Sequence, residues 1–135
     1  MIYLDIETDG LDPTQIWCAV TRENGLSKVH TGPESLSEAL RSSVSVVGHN
    51  VIGYDLPVLK RLWGISVASD RVIDTLVLSR LADPSKAGGH SLRAWGTELG
   101  FPKGDYHDWS NLNDDMIKYC KRDVEVTEAV HKRLA

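Results

Sequence analysis

The sequence predicts a single α/β domain in which helices flank a central mixed β-sheet. The opening residues, MIYLDIETDGL, alternate between apolar and polar positions as a strand does. Residues 16–32 form two further β-rich runs around Asn24-Gly25, a dipeptide typical of hairpin turns. Short β-branched runs and amphipathic helical segments follow. We therefore expect an antiparallel hairpin first and parallel strands after it.

Each later element has a local signal in the sequence. Pro33 opens a helix, Gly64 ends another, and Asn113 caps the last one. The remaining strands are expected at residues 43–50 and 72–73. The helices are expected at residues 33–40, 55–64, 74–82, 90–100 and 113–134.

Length and composition fit one soluble domain spanning residues 1–135. A chain of this size buries roughly 68% of its unfolded surface, which is enough for its own core. No apolar run is long enough to span a membrane. Because residues 1–11 already read as the first strand, we expect no targeting peptide. Cys18 and Cys120 lie far apart, without metal-like spacing, which favours free thiols in a cytoplasmic protein.

The net charge of −4, from 15 basic and 19 acidic residues, argues against a protein that binds nucleic acid by charge alone. If four of the acids surrounded metal ions, the remaining charges would balance. That distribution suits an enzyme that holds a few nucleotides at a metal centre better than a tight duplex binder.

The first strand carries two carboxylates that would be costly to bury. Alternation places Asp5 and Glu7 on the same face as Tyr3. Acids on an otherwise apolar strand need either a compensating cation or solvent. This stretch alone is equally compatible with a metal site and with a wet edge strand.

Two further acids follow, and the local sequence pattern around each has a purely structural explanation when it is considered alone. Asp55 heads a helix after the turn Gly48-His49-Asn50 and, alone, fits an N-cap. Tyr119 and Asp123 share a helical face at i, i+4, as many surface pairs do. If the acids converged, they could not all ionise without cations. Oxygen-only ligands favour Mg²⁺ or Mn²⁺, and a pair of such ions suits attack on a phosphodiester.

Three motifs in this order, LDIETDGL, GHNVIGYD and YCKRD, resemble those of the DEDDy class of 3′–5′ exonucleases. That class is DnaQ-like and has the ribonuclease H-like fold. The intervening segments IDTLVLSRL and GGHSLRAWGTELGFPKGDY are similar to the proofreading domain of podophage-type family A DNA polymerases. The resemblance covers nearly the whole chain and implies the same sheet-and-helix fold.

The resemblance also implies roles for five residues. Asp5, Glu7 and Asp123 would hold the metal ion that carries the attacking water, and Asp5 would bridge to a second ion. Asp55 would hold that second ion, directly or through water. Tyr119 would orient the water for in-line attack. Both ions would be Mg²⁺ or Mn²⁺.

Substrate contacts are expected at five further positions. Thr8 and Leu11 match positions beside the terminal nucleotide, although Leu11 equally fits a plain strand-exit residue. Asn50 and Tyr54 match positions along the strand path, although Asn50 can instead satisfy its own turn. Lys103 is hypothesised to reach the scissile phosphate, and a solvated loop lysine is the alternative.

These observations predict a monomeric, metal-dependent 3′–5′ exonuclease. It would act on the 3′ end of single-stranded DNA, release nucleoside 5′-monophosphates and proofread for a separate polymerase, as a phage protein in the host cytoplasm without a membrane partner. One alternative keeps the chemistry but takes short RNA as substrate. The other is a non-catalytic module that binds nucleic acid or docks on a polymerase.

Overall fold

The computed structural model describes residues 1–101 and 108–135. Its centre is a five-stranded mixed sheet. The strands are β1 (Ile2–Thr8), β2 (Ile16–Glu23), β3 (Leu26–His30), β4 (Val46–Gly48) and β5 (Val72–Asp74). The spatial order is β3-β2-β1-β4-β5. β1 to β3 are antiparallel neighbours, whereas β4 lies parallel to both β1 and β5. The predicted fold class is confirmed.

The helices pack on both faces of the sheet. They are α1 (Pro33–Arg41), α2 (Leu56–Trp63), α3 (Thr75–Ala82), α4 (Leu92–Glu98) and α5 (Asp114–Leu134). A π-helical segment (Val51–Asp55) precedes α2, and a 3₁₀ turn (Ser69–Arg71) precedes β5. Within residues 1–101 and 108–135, none of the helices combines the length and apolar character needed to cross a bilayer.

The alternation of β1 divides the core into two layers. Ile2, Leu4 and Ile6 pack with residues of α1 and α2, whereas Tyr3 packs with Val124 of α5 on the opposite face. Because β1 is the central strand and both its faces are covered, the interpretation of β1 as a wet edge strand is wrong.

The predicted turn and cap residues act as their chemistry suggests. Asn24 and Gly25 have positive φ angles of 53° and 78°, which the tight hairpin turn requires. Gly64 ends α2 in the left-handed region with φ of 67°. The side chain of Asn113 accepts a hydrogen bond from the backbone N–H of Met116 and so caps α5.

The segment after β4 differs from the prediction. The strand expected at residues 43–50 contains only Val46–Gly48, and Val51–Asp55 forms a π-helical turn. Asn50 breaks the strand with a left-handed φ of 57°. A Cβ at Gly48 would lie 2.7 Å from the Val51 side chain, so only glycine allows this close turn.

Asp74 fixes that turn from the neighbouring strand end. Its carboxylate accepts hydrogen bonds from the backbone N–H groups of Asn50 (2.9 Å), Ile52 (3.1 Å) and Leu76 (2.9 Å). One side chain therefore caps α3 and holds the chain that leads to Asp55.

We expect Asp74→Ala to lower the free energy of unfolding by about 2–4 kcal/mol, because it leaves three N–H groups without their acceptor. Urea denaturation measures this change. Asp83→Ala, at the exposed C-terminal end of α3, is the matched control and should change stability by less than about 0.5 kcal/mol. Equal effects of the two substitutions would contradict the assigned role of Asp74.

Candidate active site

Asp5 and Glu7 lie near the end of β1, on the side of the sheet that α5 covers. β1 pairs with β4 only through Ile2 and Tyr3, while its pairing with β2 continues to Thr8. The two acids therefore follow the point where β1 and β4 separate, a usual place for a crevice in α/β sheets. Glu7 is only 7% exposed, and Asp5 is partly exposed.

The π-helical segment carries Asp55 to the same strand end. Asp55 is 4% exposed, and its Oδ2 accepts a hydrogen bond from the backbone N–H of Ile6 at 3.1 Å. Its side chain makes no capping hydrogen bond to α2. The N-cap interpretation of Asp55 is thus wrong, because the carboxylate is directed at β1 instead.

α5 brings Tyr119 and Asp123 to the acids of β1. The helix is fixed by its buried residues Cys120 and Val124, which pack against the sheet. Burial and then the charge of Asp123 raise the pKa of Glu7, and the same charge contributes to the raised pKa of Asp5 and Asp55. The structure thus brings the four acids of the three motifs into one electrostatic cluster.

All four acids have raised pKa values. Burial raises the pKa of Glu7 to about 9 and those of Asp55 and Asp123 to about 7. The pKa of Asp5 is well above its ordinary value, through burial and then the charge of Glu7. Burial and the nearby acids raise the pKa of Tyr119 to about 12, so its hydroxyl stays protonated at neutral pH.

Positive charge around this cluster is sparse. Arg122 lowers the pKa of Asp123, which only partly offsets the effect of burial. In the part of the chain that the structure describes, no lysine, arginine or histidine forms an ion pair with any of the four acids. Buried carboxylate oxygens that basic side chains do not neutralise fit hard divalent metal ions. The residues present therefore suit Mg²⁺ or Mn²⁺.

A cleft of about 380 Å³ opens beside Glu7 and includes Thr8, Leu11 and Tyr54 in its lining. The hydroxyl of Tyr54 lies 2.6 Å from Thr8 Oγ1 and donates to the carbonyl of Gly10 at 2.8 Å. These bonds fix the loop after β1. Leu11, at the rim, is 96% exposed, so its side chain is free to contact a ligand.

Sequence reasoning missed Trp109. Its indole lines the same cleft and meets the ring of Tyr119 edge-on, with centroids 5.9 Å apart. The Trp17 Nε1–H donates to the carbonyl of Trp109 at 3.0 Å and holds this segment on β2. The sequence feature that could have identified Trp109 is an aromatic residue in the polar loop that precedes α5, the helix that carries the YCKRD motif.

Two further predicted substrate residues are not among the residues that line this cleft in the described part of the chain. Asn50 is exposed in its left-handed turn, and its side-chain oxygen would lie 2.5 Å from a Cβ built on Gly53. That position suits a turn residue, and its contact with substrate stays a prediction. Lys103 lies outside the described residues, so its role also stays a prediction.

The hairpin-first mixed sheet, with acids at the end of its central strand, is a fold that solved structures share. NrnC of Brucella melitensis superposes with a TM-score of 0.78 at 22% identity, covering 98% of this chain and 71% of that one. RNase D of Trypanosoma brucei gives 0.71 at 15% identity, covering 99% and 57%. Both likenesses concern the fold.

Sequence comparison gives more specific relatives. The DNA-directed DNA polymerase of Escherichia phage T7 is 30% identical in an alignment that is 185 residues long. This alignment covers 99% of this chain and 26% of the polymerase. The DNA-directed DNA polymerase of Enterobacteria phage T3 is 28% identical with the same coverage. The chain spans about a quarter of the length of these relatives. No family model matches. The predicted resemblance to the exonuclease region of such polymerases is confirmed.

Proposed function

We propose that this protein is a metal-dependent 3′–5′ exonuclease that hydrolyses single-stranded DNA from its 3′ end. The observation that carries the proposal is the cluster of Asp5, Glu7, Asp55 and Asp123 beside Tyr119 and an open cleft. The sequence relatives, which are DNA polymerases, favour DNA as the substrate.

The four acids and Tyr119 would have separate roles in the reaction. Asp5, Glu7 and Asp123 would hold one divalent ion, and Asp5 and Asp55 would hold a second. Such ions, when bound, lower the pKa of water and stabilise charge on the attacking and leaving oxygens. Tyr119, protonated at neutral pH, would donate a hydrogen bond that orients the water. Water adds to the terminal phosphorus, the bond to the 3′ oxygen breaks, and a nucleoside 5′-monophosphate leaves.

The cleft would hold the terminal nucleotide. Base stacking on Trp109 suits its partly exposed indole, and Leu11 would contact the base from the rim. We further propose that the protein is a cytoplasmic monomer and that it proofreads for a separate polymerase.

Digestion of a 5′-labelled single strand, with Mg²⁺ or with EDTA, tests the proposal. A ladder that shortens from the 3′ end only when metal is present is the expected result. An intact strand under both conditions would overturn the catalytic proposal and favour a binding module. A matched RNA strand, digested faster than the DNA, would change the substrate class to RNA.

Removing the Tyr119 hydroxyl should slow the chemical step. We expect Tyr119→Phe to lower kcat about 10- to 100-fold with little change in KM, since one hydrogen bond to a charged centre is lost. Tyr3→Phe is the matched control, because Tyr3 bonds His131 instead and does not line the cleft. The single-turnover rates of the two variants test this expectation. Equal rates for Tyr119→Phe and Tyr3→Phe would exclude this role for Tyr119.

Shortening Leu11 should weaken substrate binding without affecting the fold. We expect Leu11→Ala to raise KM for single-stranded DNA about 5- to 30-fold, because a leucine buried against a base contributes about 1–2 kcal/mol. The melting temperature should not move, since the side chain is exposed. Leu26→Ala, an exposed leucine on β3, is the control and should leave KM unchanged.

A further inference from the structure

A sulfur atom lies among the acids of the active site. Cys120 Sγ is 3.5 Å from Asp5 Oδ2 and 3.6 Å from the carbonyl oxygen of Asp5. Ligand atoms of Asp5, Glu7 and Cys120 all lie within 4.8 Å of one another. Cys120 directly follows Tyr119 on α5, so the helix that carries the proposed catalytic tyrosine also directs this thiol at β1.

The thiol and the two carboxylates together suit Zn²⁺ rather than Mg²⁺. Mg²⁺ takes oxygen ligands, whereas Zn²⁺ readily takes cysteine sulfur and carboxylate oxygen together. Zinc–ligand distances of about 2.0–2.3 Å place donor atoms of a tetrahedral site about 3.3–3.8 Å apart. The 3.5 Å between Cys120 Sγ and Asp5 Oδ2 falls within that range, and no two of the three donor atoms are more than 4.8 Å apart.

We infer that Asp5, Glu7 and Cys120 form a binding site for Zn²⁺, and that zinc bound there inhibits the exonuclease. On binding, a Zn–S bond replaces the S–H bond, and the thiol proton passes to solvent together with any proton that Asp5 and Glu7 hold in the metal-free protein. Because Asp5 and Glu7 would then be ligands of zinc, they are withdrawn from the Mg²⁺ or Mn²⁺ ion that the reaction needs. The inhibition rests on the proposed function, whereas the zinc site itself does not.

Cys18 provides the control. It lies opposite Glu7 in the pairing of β1 with β2, its thiol contacts that of Cys120, and both cysteines are fully buried. It is absent from the group of three ligands. Cys18→Ala and Cys120→Ala therefore remove similar volumes from the same layer of the core, but only the second removes a zinc ligand.

Metal titrations without substrate test the site. Co²⁺ added to the full chain should produce a thiolate-to-cobalt charge-transfer band in the near ultraviolet, which Zn²⁺ then removes. The band should persist in Cys18→Ala and be absent from Cys120→Ala and Cys120→Ser, with folding checked by circular dichroism. Calorimetry should show zinc binding at least about 10-fold weaker in both Cys120 variants, since even groups that only orient ligands change affinity by that factor. A wild-type protein without the band would overturn the site.

Digestion assays with Mg²⁺ and increasing Zn²⁺ test the inhibition separately. For each variant, activity is expressed relative to its own rate without zinc. Half-inhibition should need at least about 10-fold more Zn²⁺ in Cys120→Ser than in wild type or Cys18→Ala. Equal concentrations for all three proteins would overturn the inhibition. A wild type that binds zinc through Cys120 but digests no nucleic acid would instead refute the proposed function and leave the zinc site intact.

Discussion

Asp5→Asn is expected to abolish exonuclease activity while making the metal-free protein more stable. The asparagine keeps the size of the side chain but removes a carboxyl group whose ionisation is opposed by burial and by three neighbouring acids. Loss of a ligand proposed to serve both metal ions should lower kcat by at least about 10³-fold, corresponding to about 4 kcal/mol. Removing the repulsion should raise the free energy of unfolding on the order of 1 kcal/mol.

Two measurements on the same preparation check this expectation. Digestion rates with Mg²⁺ report activity, and urea denaturation in EDTA reports stability. Asp70→Asn, in the exposed 3₁₀ turn before β5, is the matched control and should change neither quantity. An Asp5→Asn protein that is inactive because it is unfolded would contradict the prediction, as would one that keeps most of its activity.

The metal-free protein is expected to lose stability as the pH rises from about 7 to about 8.5. Glu7 has a pKa of about 9 in the folded state, against an ordinary value of 4.5, so the folded protein retains a proton that the unfolded chain has lost. Stability then falls by about 1.4 kcal/mol per pH unit for each such proton. Asp5, whose pKa is also raised, acts in the same direction.

The decline is expected only above about pH 7 because the histidines have the opposite effect on stability at lower pH. Burial lowers the pKa of His30, His49 and His131, and this opposes the carboxylate effect below about pH 6.5. Above pH 7 these three histidines are mostly neutral in both the folded and the unfolded state, because their pKa values are lowered from 6.5 in the fold. Thermal unfolding in EDTA should show the decline, and saturating Mn²⁺ should largely remove it, because bound cations favour the ionised acids. A flat or rising profile in EDTA would show that the acids are not coupled as the structure indicates.

Local chemistry made most of the fold predictable. The alternation in β1, the Asn24-Gly25 turn and the Asn113 cap each act over a few residues, and the structure has all three. The π-helical segment was not predictable, because it depends on Asp74, a residue more than 20 positions further along the chain that binds its N–H groups. Contacts over such separations leave no local pattern.

The same distinction applies to the candidate site. The motifs identified the four acids and Tyr119, since their order and spacing are features of the sequence. Trp109 was missed because its place in the cleft depends on Trp17, which lies 92 positions earlier in the chain. Cys120 is a free thiol, as expected, but its place beside Asp5 was not predictable, because folding brings the two residues together over a separation of 115 positions.

The hydrogen bond from Ile6 to Asp55 bears on how such a domain would lose its activity in evolution. Beyond Tyr3, where β1 and β4 have separated, the Asp55 carboxylate takes the place of a strand partner for the backbone of β1. A mutation at Asp55 therefore also leaves a buried N–H group unpaired, which costs about 1–3 kcal/mol. Among residues 1–101 and 108–135, the Asp5 side chain accepts no hydrogen bond from a backbone N–H of another residue, and its hydrogen bond comes from the Cys120 thiol. A lineage released from selection for nuclease activity would thus tend to lose Asp5 first and keep Asp55, leaving an inactive domain that still folds.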